Sequence, residues 1–189
     1  MALTNKTMKN KKPLKQLPSQ QLLNQVHDYI VNRKNKRHES KKWIHYCLFL
    51  LCWKAGLRVS EALSFDYNLE HPALEYKGLY LLRGKGNKER YVYVAPEIIK
   101  VLKSHNWKSN QTNRFNFFEF LKEAKQSLSI PENIELAPHT LRRCFATYNC
   151  IGGMPLPVLQ SVLGHANVRT TALYVKGSNL DNLLKFKPI

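Results

Sequence analysis

The uncharged run from Tyr46 to Trp53 constrains the fold of this chain more than any other feature. Lys42 and Lys54 bound it, and it is far shorter than the roughly 18 apolar residues that span a membrane. A helix that is apolar all round is typical of a protein core. Gly56 follows, where a helix C-terminus favours a left-handed residue. We therefore expect a buried helix from about Glu39 to Ala55.

The charge balance indicates a polyanionic partner. The chain has 189 residues, which suits one domain, and carries 30 Lys and Arg against 13 Asp and Glu, a net charge of +17. Nucleic acid is the first candidate partner, and an anionic membrane surface is the second. Five lysines precede the first acidic residue, Asp28. We interpret residues 1–17 as a basic flexible tail; a phosphate-binding arm or a transit peptide are the alternatives, and a secretory signal is not expected.

Periodicity predicts a mainly α, α+β fold with a small antiparallel sheet. The sheet is expected between Tyr76 and Val94, with a turn at Gly84 to Asn87 and an optional third strand at Ala73 to Tyr76. The remaining predicted helices are Ser19 to Arg33 (apolar face Leu22, Leu23, Val26, Tyr29 and Ile30), a short helix with Arg58, Glu61 and Leu63, Pro96 to His105, Asn113 to Leu128, Pro138 to Gly152, Pro155 to Leu163, Val168 to Tyr174, and Asn179 to Lys185.

The sequence indicates neither a metal site nor the use of ATP. Acidic residues are few and form no cluster suited to Mg²⁺, and a P-loop motif is absent from the sequence. The four cysteines, Cys47, Cys52, Cys144 and Cys150, are irregularly spaced within helical patterns. We interpret them as reduced core residues rather than a disulfide framework or a zinc site, and we expect no cofactor.

Several polar residues have an ordinary interpretation when each is taken alone. His139 and Arg142 share a helix face, where an imidazole beside a guanidinium should keep a low pKa and stay neutral. Taken alone, such a pair also occurs by chance on a surface helix of a basic protein. Arg58 would be a structural arginine that pairs with Glu61. His165 and Tyr174 would be a packing or capping histidine and a core tyrosine.

The combination is far more specific than its members. Arg58, Lys85, His139, Arg142, His165 and Tyr174 occur in the motifs Gly-Leu-Arg-Val-Ser-Glu, Gly-Lys-Gly-Asn-Lys-Glu-Arg, His-Thr-Leu-Arg-Arg and Leu-Gly-His, with Tyr174 nine residues after His165. In this order and spacing they resemble the active site of the tyrosine recombinase (phage integrase) family. The resemblance covers about residues 17–185 and implies a site-specific DNA recombinase with a tyrosine recombinase catalytic domain over residues 18–189.

The resemblance also implies a role for each residue. Tyr174 would attack the phosphodiester and form a 3′-phosphotyrosyl bond, without metal or ATP. Arg58 and Arg142 would clamp the phosphoryl oxygens and stabilise the transition state rather than the fold, and His165 would donate a further hydrogen bond. His139 would take the tyrosine proton. Lys85 would protonate the leaving 5′-oxygen, with Lys88 as the alternative acid.

The layout is similar to that of the small recombinases that invert fimbrial promoter segments, a catalytic domain without a separate N-terminal clamp domain. The implied partner is double-stranded DNA, contacted by Lys88, Arg90 and Arg143, with a homo-oligomer, dimer to tetramer, forming on it. Leu180, Leu183, Leu184 and Phe186 would dock into a neighbouring protomer or fold back onto their own domain. We expect a cytoplasmic, nucleoid-associated protein, or an organellar one, and no membrane partner.

Two alternative functions are compatible with the expected fold. One is a catalytically silent DNA-binding accessory protein. The other is a type IB topoisomerase-like enzyme, which uses the same chemistry to relax DNA without a site preference.

Overall fold

The computed structural model describes residues 15–33, 39–83 and 89–165. In chain order the elements are α1 (Gln20–Asn32), α2 (Glu39–Lys54), α3 (Val59–Leu63), a 3₁₀ turn (Leu74–Tyr76), β1 (Leu79–Arg83), β2 (Glu89–Tyr93), α4 (Pro96–Ser104), α5 (Arg114–Ser127), α6 (Pro138–Ile151) and α7 (Leu156–Leu163). Within these ranges the fold is mainly helical with one two-stranded antiparallel sheet, which confirms the predicted class.

Helix α2 is the centre of the fold, as its apolar run predicts. Every residue from Tyr46 to Trp53 is at most 6% exposed. The helix contacts α1, α3, α4, α5 and α6, so almost every side of it is covered by another element. Because the helix has no solvent face along this run, it needs no polar stripe.

Helix α1 begins and packs as expected. The Ser19 hydroxyl accepts a hydrogen bond from the Leu22 amide at 3.1 Å, which satisfies one amide of the first turn. Leu23, Val26 and Ile30 are fully buried, and Leu22 and Tyr29 pack against the same core.

The hairpin is confirmed, but the third strand was predicted at the wrong residues. Strands β1 and β2 pair from Leu79 opposite Tyr93 to Arg83 opposite Glu89. The segment Leu74–Tyr76 is the 3₁₀ turn instead of a strand. The third strand contact lies earlier, where Glu70 bridges Tyr80. Pro72 ends this pairing because it has no amide hydrogen to give to a neighbouring strand.

The last residues of the predicted tail belong to the fold. The Gln16 amide donates to the Asn133 carbonyl at 2.7 Å, and the Glu135 amide donates to the Gln16 carbonyl at 3.0 Å. The Pro18 carbonyl accepts a hydrogen bond from the Tyr148 hydroxyl. Gln16, within the predicted flexible tail, therefore forms an isolated parallel bridge with Ile134; residues 1–14 lie outside the described residues.

The cysteines agree with their interpretation as reduced residues. All four cysteines are free thiols, and burial raises the pKa of Cys47, Cys52 and Cys144 to about 12. No helix of the described ranges is both long and apolar enough to cross a bilayer. The predicted helices at 168–174 and 179–185 and the hairpin turn at 84–87 lie outside the described residues.

Two left-handed glycines end helices close to one another in the fold. Gly56 follows α2 with a φ of 67°, and Gly164 ends α7 with a φ of 59°. A Cβ at Gly56 would lie 2.4 to 2.8 Å from ring carbons of Phe145 on α6. Gly56 is therefore required both by its backbone conformation and by the close approach of α6.

We expect Gly56→Ala to lower the free energy of unfolding more than Gly153→Ala. Gly153 is the matched control because its φ is also positive, at 94°, but nothing lies within 4 Å of an added Cβ. The conformational penalty alone is about 1–2 kcal/mol, and overpacking against Phe145 should add roughly 1–3 kcal/mol. Urea unfolding of both variants measures the difference. Equal losses would show that Phe145 gives way without cost.

Candidate active site

A buried carboxylate, Glu61, is the structural centre of the candidate site. It lies on α3 and is only 4% exposed. The amide of Arg58, at the N-cap of α3, donates to Glu61 Oε2 at 2.7 Å. This contact at the start of a short helix fixes the Glu61 carboxylate where other elements reach it.

Three arginines from three parts of the chain converge on Glu61. Arg58 Nη1 lies 2.8 Å from Oε1. Arg90, on β2, binds both carboxylate oxygens, with Nη1 at 2.8 Å from Oε1 and Nη2 at 2.9 Å from Oε2. Arg142, on α6, places Nη1 at 3.4 Å from Oε2. Three positive charges against one negative charge leave this cluster cationic, as an anion site requires.

The arginines keep Glu61 ionised in spite of its burial. Burial alone would raise the pKa of this carboxyl group, but the hydrogen bonds from Arg90 and Arg58 and the positive charge of Arg90 outweigh it. The net effect lowers the pKa of Glu61 from 4.5 to about 2. A carboxylate with several charged donors is a stable anion at any physiological pH.

Arg142 is built into the fold more deeply than the sequence suggested. Its side chain is 9% exposed. Nη1 donates to the Gly56 carbonyl at 2.8 Å, and Nη2 donates to the Leu163 carbonyl. We therefore expect Arg142 to support the fold as well as the site, because its loss would leave two buried carbonyls without this donor and would remove one of the three arginines that contact Glu61.

Arg58 is more exposed to solvent than Arg142. Its side chain is 41% exposed, and Nη2 lies 3.4 Å from the Gly164 carbonyl. The structural pairing with Glu61 and the predicted phosphate role are compatible, because Glu61 orients one edge of the guanidinium while part of the side chain stays accessible.

His165 follows Gly164 at the end of α7, next to the arginines. Burial lowers the pKa of its imidazole, and the positive charges of Arg142, Arg58 and Arg90 lower it further, to about 4. The Gln160 side-chain amide donates to the His165 carbonyl at 3.1 Å, and the His165 amide donates to the Gln160 carbonyl at 3.2 Å. The site thus presents a neutral imidazole, able to donate one hydrogen bond, at a fixed turn.

His139 lies at the outer side of α6. Its side chain is 60% exposed, and Nε2 is 3.4 Å from Glu135 Oε2. Arg143, 43% exposed, shares that carboxylate at 3.6 Å. The structure thus brings Arg58, Arg142 and His165 into one cluster and places His139 at a solvent-accessible position with an acidic neighbour.

Arg90 has a different environment from the one predicted. The sequence predicts a DNA contact for Arg90, but the residue is 12% exposed and its guanidinium is held by Glu61 and by the Val162 carbonyl. The strand alternation contains the missing signal, because Arg90 has the same parity as the buried Val92, whereas Glu89, Tyr91 and Tyr93 face solvent.

Three predicted residues, Lys85, Lys88 and Tyr174, lie outside the described residues, and their roles stay predictions. Within the three described ranges, no group of three or more His, Cys, Asp or Glu side chains is arranged to hold a metal ion.

The chain is similar in sequence to known proteins. The chain is 28% identical over 185 residues to a tyrosine recombinase XerA of Pyrococcus horikoshii, covering 89% of this chain and 60% of that protein. It is 33% identical over 167 residues to a tyrosine recombinase XerD of Rickettsia bellii, covering 74% of this chain and 54% of the relative. The chain spans about half the length of the curated relatives it matches.

Solved structures share the fold. A XerH site-specific recombinase bound to palindromic difH substrate, in a post-cleavage complex, superposes with a TM-score of 0.74 at 20% identity, over 96% of this chain and 54% of that one. The catalytic domain of bacteriophage HP1 integrase gives a TM-score of 0.64 at 20% identity, covering 92% of this chain and 95% of that domain.

The model of the phage integrase family matches residues 19–179, which include all six residues of the predicted set. This match spans most of the chain and confirms the resemblance seen in the motifs. The chain therefore belongs to the phage integrase family.

Proposed function

We propose that this chain is a site-specific DNA recombinase that cuts and rejoins DNA through a 3′-phosphotyrosyl intermediate, without metal or ATP. The observation that carries the proposal is the cationic cluster in which Glu61 orients Arg58 and Arg142 beside the neutral His165. The cluster offers fixed donors for the nonbridging oxygens of one phosphate, and such preorganised donors stabilise charge in a phosphoryl-transfer transition state.

The proposed step balances as a transesterification. The Tyr174 oxygen attacks phosphorus, its proton passes to His139, and the phosphorus–O3′ bond stays intact. The phosphorus–O5′ bond breaks, and Lys85 gives its proton to the departing 5′-oxygen. The reverse reaction with a new 5′-hydroxyl rejoins the strand, and the ester conserves the bond energy, so no nucleotide is consumed.

The exposed position of His139 is compatible with this role. An accessible imidazole can accept the proton of Tyr174 when DNA is bound. Glu135, 3.4 Å away, orients the imidazole ring. The two arginines would supply the charge neutralisation that a metal gives in other nucleases, which is the reason for expecting metal-independent cleavage.

Double-stranded DNA is the proposed substrate, contacted by Lys88 and Arg143 among other basic residues. The XerH relative was solved on its difH DNA, which supports this choice. We further propose a homo-oligomer on DNA, dimer to tetramer, and a location with the DNA in the nucleoid.

Tyr174→Phe should bind DNA with wild-type affinity and form no covalent complex, because it lacks the nucleophilic oxygen. A nicked suicide substrate, whose cleaved strand loses a short fragment, traps the adduct for detection on a denaturing gel. Tyr91→Phe, altered at a tyrosine that is 44% exposed, is the matched control and should retain full activity. A protease-sensitive adduct at wild-type level in Tyr174→Phe would refute the assignment. A wild-type protein that binds DNA without forming an adduct would favour the silent accessory protein.

Lys85→Ala should cleave slowly on ordinary DNA and regain its rate when the bridging 5′-oxygen is replaced by sulfur. A thiolate leaves without a proton, so the substrate bypasses a missing general acid. Lys88→Ala is the matched control and should show no such rescue. Rescue in Lys88→Ala alone would assign the proton to Lys88.

Deleting residues 1–14 should flatten the dependence of affinity on salt. The deletion removes four lysines and leaves the Gln16 pairing intact. Each phosphate contact contributes about −0.9 to the slope of log K against log salt for duplex DNA. Fluorescence anisotropy over a salt series measures that slope, and the cleavage rate of bound complexes should not change. An unchanged slope would exclude the tail as a source of phosphate contacts.

A further inference from the structure

Arg90 joins the hairpin to two other parts of the candidate site. Its side chain is 12% exposed, and its two terminal nitrogens bind the two oxygens of Glu61. Its Nε donates to the Val162 carbonyl in the last turn of α7 at 2.9 Å. One guanidinium thus connects β2, α3 and α7.

The stem of Arg90 also lies against the turn that presents His165. A Cβ at Gly164 would lie 2.9 to 3.1 Å from Cδ, Nε and Cζ of Arg90. The absence of a side chain at Gly164 therefore permits this close approach, and the φ of 59° there is one that glycine adopts readily. His165 is the next residue along the chain.

We infer that Arg90 is a positioning residue that holds the His165 turn in register with Glu61, and through Glu61 with Arg58 and Arg142. The inference rests on the proposed function and replaces the predicted DNA contact of Arg90. Both terminal nitrogens and the Nε of Arg90 are directed at three acceptors inside the protein, which is the arrangement expected of a residue that connects elements of the site.

The geometry explains why arginine is needed here. Three donors point in a fixed plane, two at a carboxylate and one at a carbonyl on another element. A lysine keeps the positive charge beside Glu61 but cannot reach both carboxylate oxygens and the Val162 carbonyl in one geometry. Arg90→Lys therefore separates the positioning from the charge.

The first experiment compares Arg90→Lys with Arg83→Lys. Arg83 is the matched control because it lies on the paired strand of the same hairpin, is 69% exposed and binds only Glu89 at 2.9 Å among the described residues. Binding and single-turnover cleavage of a nicked suicide duplex are measured at saturating protein. We expect Arg90→Lys to lose about tenfold or more in cleavage rate, as small misplacements of catalytic groups do, with a Kd within about twofold. Arg83→Lys should match the wild type in both.

A second measurement tests whether Arg90 acts through His165. Arg90→Lys is combined with His165→Gln, and the cleavage rates complete a double-mutant cycle. If Arg90 positions His165, the second substitution should cost little once His165 is gone. Fully additive losses would overturn the inference, as would a weaker Kd with an unchanged cleavage rate, the pattern of a phosphate contact. Absence of wild-type cleavage would instead refute the proposed function.

Gly164→Asn approaches the same contact from the other side and decides the matter if Arg90→Lys fails to fold. Asparagine tolerates a left-handed φ better than alanine does, so the variant limits backbone strain beside His165 while its Cβ displaces the Arg90 stem. A comparable loss of cleavage rate supports the inference. A wild-type rate in Gly164→Asn would overturn it.

Discussion

The carboxylate of Glu61 is the interaction on which the rest of the candidate site depends. Three guanidinium groups, two of them at most 12% exposed, cannot be brought together unless an anion compensates them, and a carboxylate cannot be buried without charged donors. Arg58, Arg90 and Arg142 meet that requirement from α3, β2 and α6. Each charge therefore lowers the free-energy cost of burying the others, and removal of one partner destabilises all of them.

The same cluster fixes the ends of the helices around it. The carbonyls of Gly56, Val162, Leu163 and Gly164 all accept hydrogen bonds from these arginines. Two of these residues, Gly56 and Gly164, are left-handed glycines that end α2 and α7. The site is thus assembled from helix termini whose free carbonyls are satisfied by Arg58, Arg90 and Arg142, and the proposed function assigns a phosphate contact to Arg58 and Arg142. Under the proposed function, stability and catalytic geometry would share one set of contacts.

Local patterns in the sequence predicted most of the fold. The apolar run at Tyr46 to Trp53, the Ser19 cap and the alternation from Leu79 onward depend on neighbours in sequence, and the structure confirms them. The failures depend on distant partners. The pairing of Gln16 with residues 133–135 has no local signature, and the third strand contact forms at Glu70 because that residue meets Tyr80 of β1. The burial of Arg142 and Arg90 follows from Glu61, which lies far away in the sequence.

The most direct test of this account is the pKa of Glu61, measured from the ¹³C resonance of its carboxyl carbon during an acid titration. A carboxyl group whose pKa is lower in the folded state than in the unfolded state adds stability above the unfolded value, and that stability is lost as pH falls toward the folded value. The account predicts a midpoint near 2, far below the ordinary 4.5, and stability that declines between these two values. A midpoint at or above 4.5 would contradict it, because the arginines would then not be held by a buried anion.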